Sequence, residues 1–168
     1  KHCNKLKPKF SYGPDGYPPF LLERIGPTIA EVITQLFQSF MSIGRVPEEW
    51  KQAFIKPLYK KGPSSDPASY RPVSLTSVFS KLMEKIIVEQ LLKYLLANNL
   101  ISKQQHGFLS RKSTATNLLE SLNDRTVNME NKHSQSITYI DFAKAFESVS
   151  HPKLMTKLRG YMVSEAFY

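Results

Sequence analysis

The pattern of apolar and polar positions predicts several helices separated by short strands and polar loops. The first helix is predicted over Thr28 to Ser42, with Pro27 at its start and Gly44 just past its end. One face of this helix consists of Ile29, Val32, Ile33, Leu36, Phe37, Phe40 and Met41. The preceding segment from Lys1 to Phe20 is rich in Pro and Gly and predicts an arm or loop.

Three further helices are predicted downstream. The second has a long apolar face and should end near Asn98 and Asn99. That face consists of Met83, Ile86, Ile87, Gln90, Leu91, Tyr94 and Leu95. The third helix is predicted from Ala115, Leu118, Leu119, Leu122, Thr126 and Met129. A final helix should start near Pro152.

Two strands are predicted between these helices. The first covers Ala53 to Tyr59, where Pro57 indicates an edge position, and a loop, "PSSDPASYRPVSL", is predicted a few residues after it. The second strand covers Ile137 to Phe142. Because helices and strands do not alternate regularly, the order predicts a helix-rich α+β fold.

The charge balance indicates which class of partner the chain would bind. The 168 residues contain 23 Lys and Arg against 14 Asp and Glu, a net charge of +9, which favours an anionic partner such as nucleic acid. An acidic membrane surface would satisfy the same charge. The single cysteine, Cys3, excludes an internal disulfide framework and favours a reducing intracellular setting.

No apolar run approaches the roughly 18 residues that a membrane-spanning helix needs, and the N-terminus lacks a secretory signal pattern. We therefore expect a soluble chain with no membrane partner. The sequence begins without Met and stops just after a helical pattern, so a fragment of a longer protein is expected.

Asp141 stands in the predicted second strand, between Ile140 and Phe142. A carboxylate among apolar neighbours needs a cation, a metal or solvent. Two interpretations follow from the residues: Asp141 caps the next turn, or it is an oxygen ligand for Mg²⁺.

The run that begins at Asp141 reads "DFAKAFESVSH". It resembles the first catalytic motif of reverse transcriptases, most closely the non-LTR (LINE-like) retrotransposon group. Three other stretches resemble that group in the same order: "GPDGYPPFLLERIGPTIAEVITQLFQSFMSIGRVPEEWKQAFIKPLYKKG", "SDPASYRPVSLTSVFSKLMEKI" and "ISKQQHGFLSRKSTATNLLESL". Four ordered blocks are far harder to match by chance than one motif.

The resemblance implies an RNA-directed DNA polymerase with fingers at residues 1–136, including the N-terminal arm, and an incomplete palm at residues 137–168. The chain has no Asp-Asp pair, so the second acidic motif of the palm is missing, together with the remaining palm and the thumb. We therefore expect the isolated chain to be inactive. The alternative is a basic nucleic-acid-binding module or relic without catalysis.

The resemblance also implies site residues in the palm. Asp141 would bind two Mg²⁺ ions, or Mn²⁺, and the backbone carbonyl of Phe142 would help to hold one of them. Phe146 would lie beneath the incoming sugar and favour deoxynucleotides, although a core aromatic is the other interpretation. Glu147 stands where close relatives usually have Asp.

In the fingers, Arg71 would contact the incoming triphosphate, helped by Lys60 or Lys61, whose "YKKG" context also fits a solvated turn. The block that approaches template and primer contains Gln105, Gly107, Phe108, Arg111 and Lys112. The implied partners are an RNA template, a DNA primer and deoxynucleoside triphosphates, in the nucleus, the cytoplasm or both.

Other polar and aromatic residues receive structural interpretations. Ser113 or Thr114 would serve as a helix N-cap. His106 and His151 are predicted to be surface or loop histidines without a metal role. Trp50 and Tyr59 are predicted to be packing residues instead of base-stacking platforms.

Overall fold

The computed structural model describes residues 11–142 and 145–163, which divide into two compact units. One unit contains residues 11–92 and Val163, and the other contains residues 93–142 and 145–162. Residues 1–10 of the predicted arm, which include Cys3, lie outside the described residues. The helices and a two-stranded sheet agree with the α+β class.

Helix α1 runs from Pro19–Ile43, so the prediction that it starts at Thr28 is wrong. Pro19 suits a first helical position, where no amide hydrogen is needed. Pro27 lies inside the helix instead of at its start, although an interior proline removes a hydrogen bond and costs about 3 kcal/mol. Burial of Leu22 in the turns before Pro27 offsets part of this cost, because a buried leucine contributes about 1.5–3 kcal/mol.

The end of α1 follows the prediction. Gly44 adopts the left-handed conformation, with φ of 68°, and its N–H donates to the carbonyl oxygen of Phe40. A glycine has no β-carbon to clash there, which makes it the favoured residue at this position.

Helix α2 spans Val78–Ala97 and confirms the predicted end near Asn98 and Asn99. It packs against α1 to form the core of the first unit, which consists of Leu22, Ile33, Phe37, Val78, Leu82 and Met83. Trp50 lies edge-on to Phe37 and Phe40, with ring centroids 5.9 and 5.2 Å apart, so its predicted packing role is confirmed.

A turn at Gly13 to Gly16 docks on the start of α2. The Asp15 carboxylate accepts a hydrogen bond from the Val78 N–H at 3.2 Å, where a negative charge also favours the helix dipole. A β-carbon on Gly13 would lie 2.5 Å from the carbonyl of Thr76, so only glycine fits this close approach.

Strands β1, Ala53–Tyr59, and β2, Tyr70–Thr76, form an antiparallel hairpin. The predicted bounds of β1 are confirmed, but the predicted loop "PSSDPASYRPVSL" is wrong at its C-terminal part, which forms β2. Pro72 argues against a strand, yet in a two-stranded sheet both strands are edges and tolerate it. Pro72 lies opposite Pro57.

The second unit contains α3, Thr114–Glu130, and α4, His151–Gly160, both close to their predicted positions. Residues 137–142 do not form the predicted strand. A strand needs a neighbour to receive its backbone hydrogen bonds, and the two strands in the described part of the chain pair with each other.

Across the residues that the structure describes, no helix combines the length and the apolar character needed to cross a membrane.

Candidate functional site

The hairpin presents a basic face. Arg71 pairs with Leu58, and Val73 pairs with Lys56. Directly opposed residues of an antiparallel pair point to the same side, and residues two apart do so as well. Arg71 and Lys56 therefore share one exposed face of the sheet.

Lys56 was missed by the sequence reasoning. It lies diagonally across the hairpin from Arg71, at a spacing of about 7–8 Å that one phosphate group can bridge. The signal was present in the alternation of Lys56, Leu58 and Lys60, because every second residue of a strand lies on one face. The prediction considered only the lysines of the turn.

Two tyrosines hold the connection between the strands. The Tyr59 hydroxyl donates to the Gly62 carbonyl at 2.7 Å, and the Tyr70 hydroxyl donates to the Ser64 carbonyl at 2.9 Å. Their rings meet edge to face, with centroids 5.6 Å apart, which gives Tyr59 one ring contact while the residue stays half exposed. The turn that carries the predicted lysines is therefore ordered by side-chain contacts.

Lys60 and Lys61 follow β1 directly, and both side chains are exposed. The Lys60 N–H donates to the Ser69 carbonyl at 2.8 Å, which continues the strand pairing by one rung. Gly62 has φ of 100°, a conformation that glycine adopts readily. Both lysines thus stand at the tip of the basic hairpin, with their ammonium groups in solvent.

In the second unit, residues 102–112 form a compact loop before α3. The Gln105 side chain donates to the Gly107 carbonyl at 3.0 Å, and the Lys112 ammonium donates to the Lys103 carbonyl. Phe108 and Arg111 adopt left-handed backbone conformations, with φ of 62° and 64°. These are the residues predicted to approach template and primer, and the side chains of Gln105 and Lys112 make contacts inside the loop.

Phe108 and Phe146 lie in ring contact. Their centroids are 6.2 Å apart, and their planes are nearly perpendicular. Both side chains are more than three-quarters exposed, which is unusual for two phenylalanines that touch each other. The structure thus brings together one residue predicted to contact template and another predicted to contact the incoming nucleotide.

Asp141 lies in an irregular, exposed segment. This segment is linked to α3 through Tyr139, whose hydroxyl accepts a hydrogen bond from Arg125 at 2.6 Å. The Arg125 guanidinium also lies 6.0 Å from the centre of the Tyr139 ring, a cation–π distance. Asp141 and Phe142 are therefore exposed to solvent, a few residues after the contact between Tyr139 and α3.

The described residues do not form a complete metal site. Within residues 11–142 and 145–163, no three His, Cys, Asp or Glu side chains lie close enough together to hold a metal ion. Asp141 offers a single carboxylate, whereas a two-ion site needs several oxygen ligands. The described residues therefore supply only part of the two-metal centre that the resemblance implies.

His106, predicted to be a surface or loop histidine, is buried. It lies in a loop, as expected, but that loop folds back on α3, where Thr116 and Glu120 receive the ring. His151 is exposed at the start of α4. Ser113 is the N-cap of α3, because its hydroxyl accepts from the Thr116 N–H at 3.2 Å.

Sequence comparisons identify the family. The family model described as reverse transcriptase (RNA-dependent DNA polymerase) matches residues 58–167. This range contains every predicted site residue, from the turn lysines to Phe146.

Similar proteins come from mobile elements of flies. The RNA-directed DNA polymerase from mobile element jockey of Drosophila melanogaster is 33% identical over 144 residues, which cover 82% of this chain and 16% of the relative. The probable RNA-directed DNA polymerase from transposon X-element of that species is 28% identical, with 80% of this chain and 15% of the relative covered. The RNA-directed DNA polymerase from mobile element jockey of Drosophila funebris is 27% identical, with 98% of this chain and 18% of the relative covered.

The chain spans less than a fifth of the length of these three relatives. The family match covers well over half of the 168 residues. The chain therefore belongs to the reverse transcriptase (RNA-dependent DNA polymerase) family, within its non-LTR retrotransposon group.

Proposed function

We propose that this chain supplies the nucleotide-contacting and template-contacting part of a retrotransposon RNA-directed DNA polymerase. The contact between Phe108 and Phe146 carries this proposal, because a residue assigned to template and primer touches a distant residue assigned to the incoming nucleotide. The relatives are RNA-directed DNA polymerases by name, which supports the same activity for the longer protein.

The basic hairpin is proposed to hold the triphosphate of the incoming nucleotide. Arg71 has a planar guanidinium that can bind two phosphate oxygens at once, whereas a lysine acts as a mobile point charge. Lys60 and Lys61 would add charge at the tip, and Lys56 would add it beside Arg71. Residues 1–136 would serve as fingers and residues 137–168 as the first part of the palm.

Phe146 is proposed to crowd the sugar of the incoming nucleotide and so favour deoxynucleotides. Asp141 and the Phe142 carbonyl would offer oxygen ligands to Mg²⁺ or Mn²⁺. A single carboxylate holds such ions weakly, so we expect the chain by itself to extend no primer.

The proposed macromolecular partners are an RNA template and a DNA primer. Gln105, Gly107 and Phe108 would approach these strands, and Arg111 and Lys112 would contact their phosphates. We propose that the protein works inside the cell, in the nucleus, the cytoplasm or both.

Nucleotide binding by the purified chain tests the hairpin assignment. We expect Arg71→Ala to weaken binding of a fluorescent deoxynucleoside triphosphate by about tenfold, because a charge-assisted hydrogen bond contributes roughly 1.5–3 kcal/mol. Lys85→Ala is the matched control, since Lys85 is exposed on α2 and its loss changes the net charge equally. Fluorescence anisotropy at constant salt measures both affinities.

Equal losses in the two variants would show that only overall charge matters. That result would favour the second function, a basic nucleic-acid-binding module, which the net charge of +9 supports. The same variants then distinguish the two functions when titrated with an RNA–DNA duplex, because a nonspecific binder loses affinity similarly with either substitution.

A further inference from the structure

His106 joins the loop of residues 102–112 to helix α3. Its Nε2 lies 2.7 Å from the Glu120 carboxylate, and its Nδ1 lies 2.9 Å from the Thr116 hydroxyl. The imidazole is almost fully buried, while the Glu120 side chain is half exposed. Both ring nitrogens are thus satisfied by the first two turns of a single helix.

The hydrogen-bond partners of His106 require a proton on one of its ring nitrogens. An ionised Glu120 can only accept, so Nε2–H of His106 donates to it. The Thr116 hydroxyl has one proton and lies within reach of both Nδ1 and the Ser113 carbonyl, 2.8 Å away. The Ser113 N–H also donates to this hydroxyl, so the histidine bonds directly to the capping box of α3.

The segment held by His106 has a disfavoured backbone. Phe108 and Arg111, two and five residues later, have positive φ although both carry a β-carbon. Such conformations persist only where surrounding contacts impose them. The buried histidine ties this part of the loop to helix α3.

We propose that His106 is a positioning residue: with Glu120 and Thr116 it holds the loop in the conformation that presents Phe108 and Arg111 to a primer–template duplex. This inference rests on the proposed function. The histidine does not touch nucleic acid in this role and acts through the loop that follows it.

The expected loss of affinity depends on the fraction of molecules whose loop adopts the binding conformation. When the loop leaves its binding conformation, the remaining contacts still hold the duplex but the Phe108 ring does not, so the apparent dissociation constant rises as the fraction in the binding conformation falls. Loss of the histidine contacts that lowers this fraction well below one-tenth removes the contribution of the Phe108 ring and weakens binding about tenfold, equivalent to about 1.4 kcal/mol.

Binding of a fluorescein-labelled RNA–DNA primer–template to the full chain, followed by anisotropy, tests the proposal. We expect His106→Ala and Glu120→Leu to weaken binding about tenfold. Glu120→Gln keeps an acceptor oxygen for Nε2–H and should stay within about threefold of the original affinity. The controls His151→Ala and Glu130→Leu remove exposed side chains with the same change in charge and should change affinity less than about twofold.

A double substitution separates positioning from a general effect on folding. Phe108→Ala should weaken binding about tenfold in the original chain, since it removes a ring on which a base can stack. In the His106→Ala background it should cost less than about threefold, because the ring is no longer presented. Full multiplication of the two losses overturns the positioning role.

The remaining outcomes are also decisive. If the unsubstituted chain does not bind the duplex, both the proposed function and this inference are wrong. If it binds, and His106→Ala binds equally well, only the inference is wrong. If His106→Ala shows no melting transition, the same cycle is run with Glu120→Leu, whose half-exposed side chain can be removed with less damage.

Discussion

Helices α1 and α2 in the first unit and α3 in the second all carry leucines at helical spacing, but their surroundings are opposite. Leu22 and Leu82 are each 2% exposed, whereas Leu118 and Leu119 are 68% and 65% exposed. The apolar periodicity predicts a helix in every case. It does not determine whether another element covers the apolar face, because that depends on distant parts of the chain.

The largest expected difference between the regions concerns these leucines. Leu82→Ala should lower the free energy of unfolding by about 3 kcal/mol, because it leaves a cavity in the α1–α2 core. Leu118→Ala on α3 should lower it by less than about 0.5 kcal/mol, since little apolar surface is buried there. Urea denaturation followed by circular dichroism measures both values, and similar losses would contradict the contrast in burial.

A smaller difference is expected for two glycines. Gly13→Ala should destabilise the chain by about 1–3 kcal/mol, because the new methyl group would press on the backbone of Thr76. Gly160→Ala in α4 meets no atom within 4 Å and should be neutral or slightly stabilising. Thermal melting of both variants checks this pair. An unchanged melting temperature for Gly13→Ala would mean that the docked turn moves away freely.

The smallest expected difference concerns two helix caps. Ser77 is completely buried and its hydroxyl accepts from the N–H groups of Phe79 and Ser80, whereas Ser113 caps α3 in an exposed position. We expect Ser77→Ala to cost about 1.5 kcal/mol and Ser113→Ala about 0.7 kcal/mol. Equilibrium unfolding of the two variants measures both losses of stability. A larger loss for Ser113→Ala than for Ser77→Ala would contradict this expectation.

Local chemistry made much of the fold predictable. The bounds of β1 and the end of α1 at Gly44 follow from residues within a few positions of each element. Pro27 misled the prediction because its ring suits a helix start, and the packing of Leu22 that permits an earlier start is not a local property. Pro72 concealed β2 in the same way, since its tolerance depends on which strand lies beside it.

The site was less predictable than the fold. Residues 137–142 have the composition of a strand, but strand formation depends on a neighbour that local composition does not reveal. The burial of His106 was not predicted, because its partners, Thr116 and Glu120, are ten and fourteen positions away and no sequence pattern links them to it. The contact between Phe108 and Phe146 likewise depends on chain folding over a long separation.

The two opposed prolines of the hairpin protect its open sides. Lys60 donates to Ser69, and hydrogen-bonded rungs alternate along an antiparallel ladder, so Pro57 and Pro72 face each other at a non-bonded rung. Backbone nitrogens at such a rung point outwards, and proline has no hydrogen to offer there. A third strand approaching from either side meets a proline ring instead of a donor at this rung, which disfavours pairing of the exposed hairpin with a further strand.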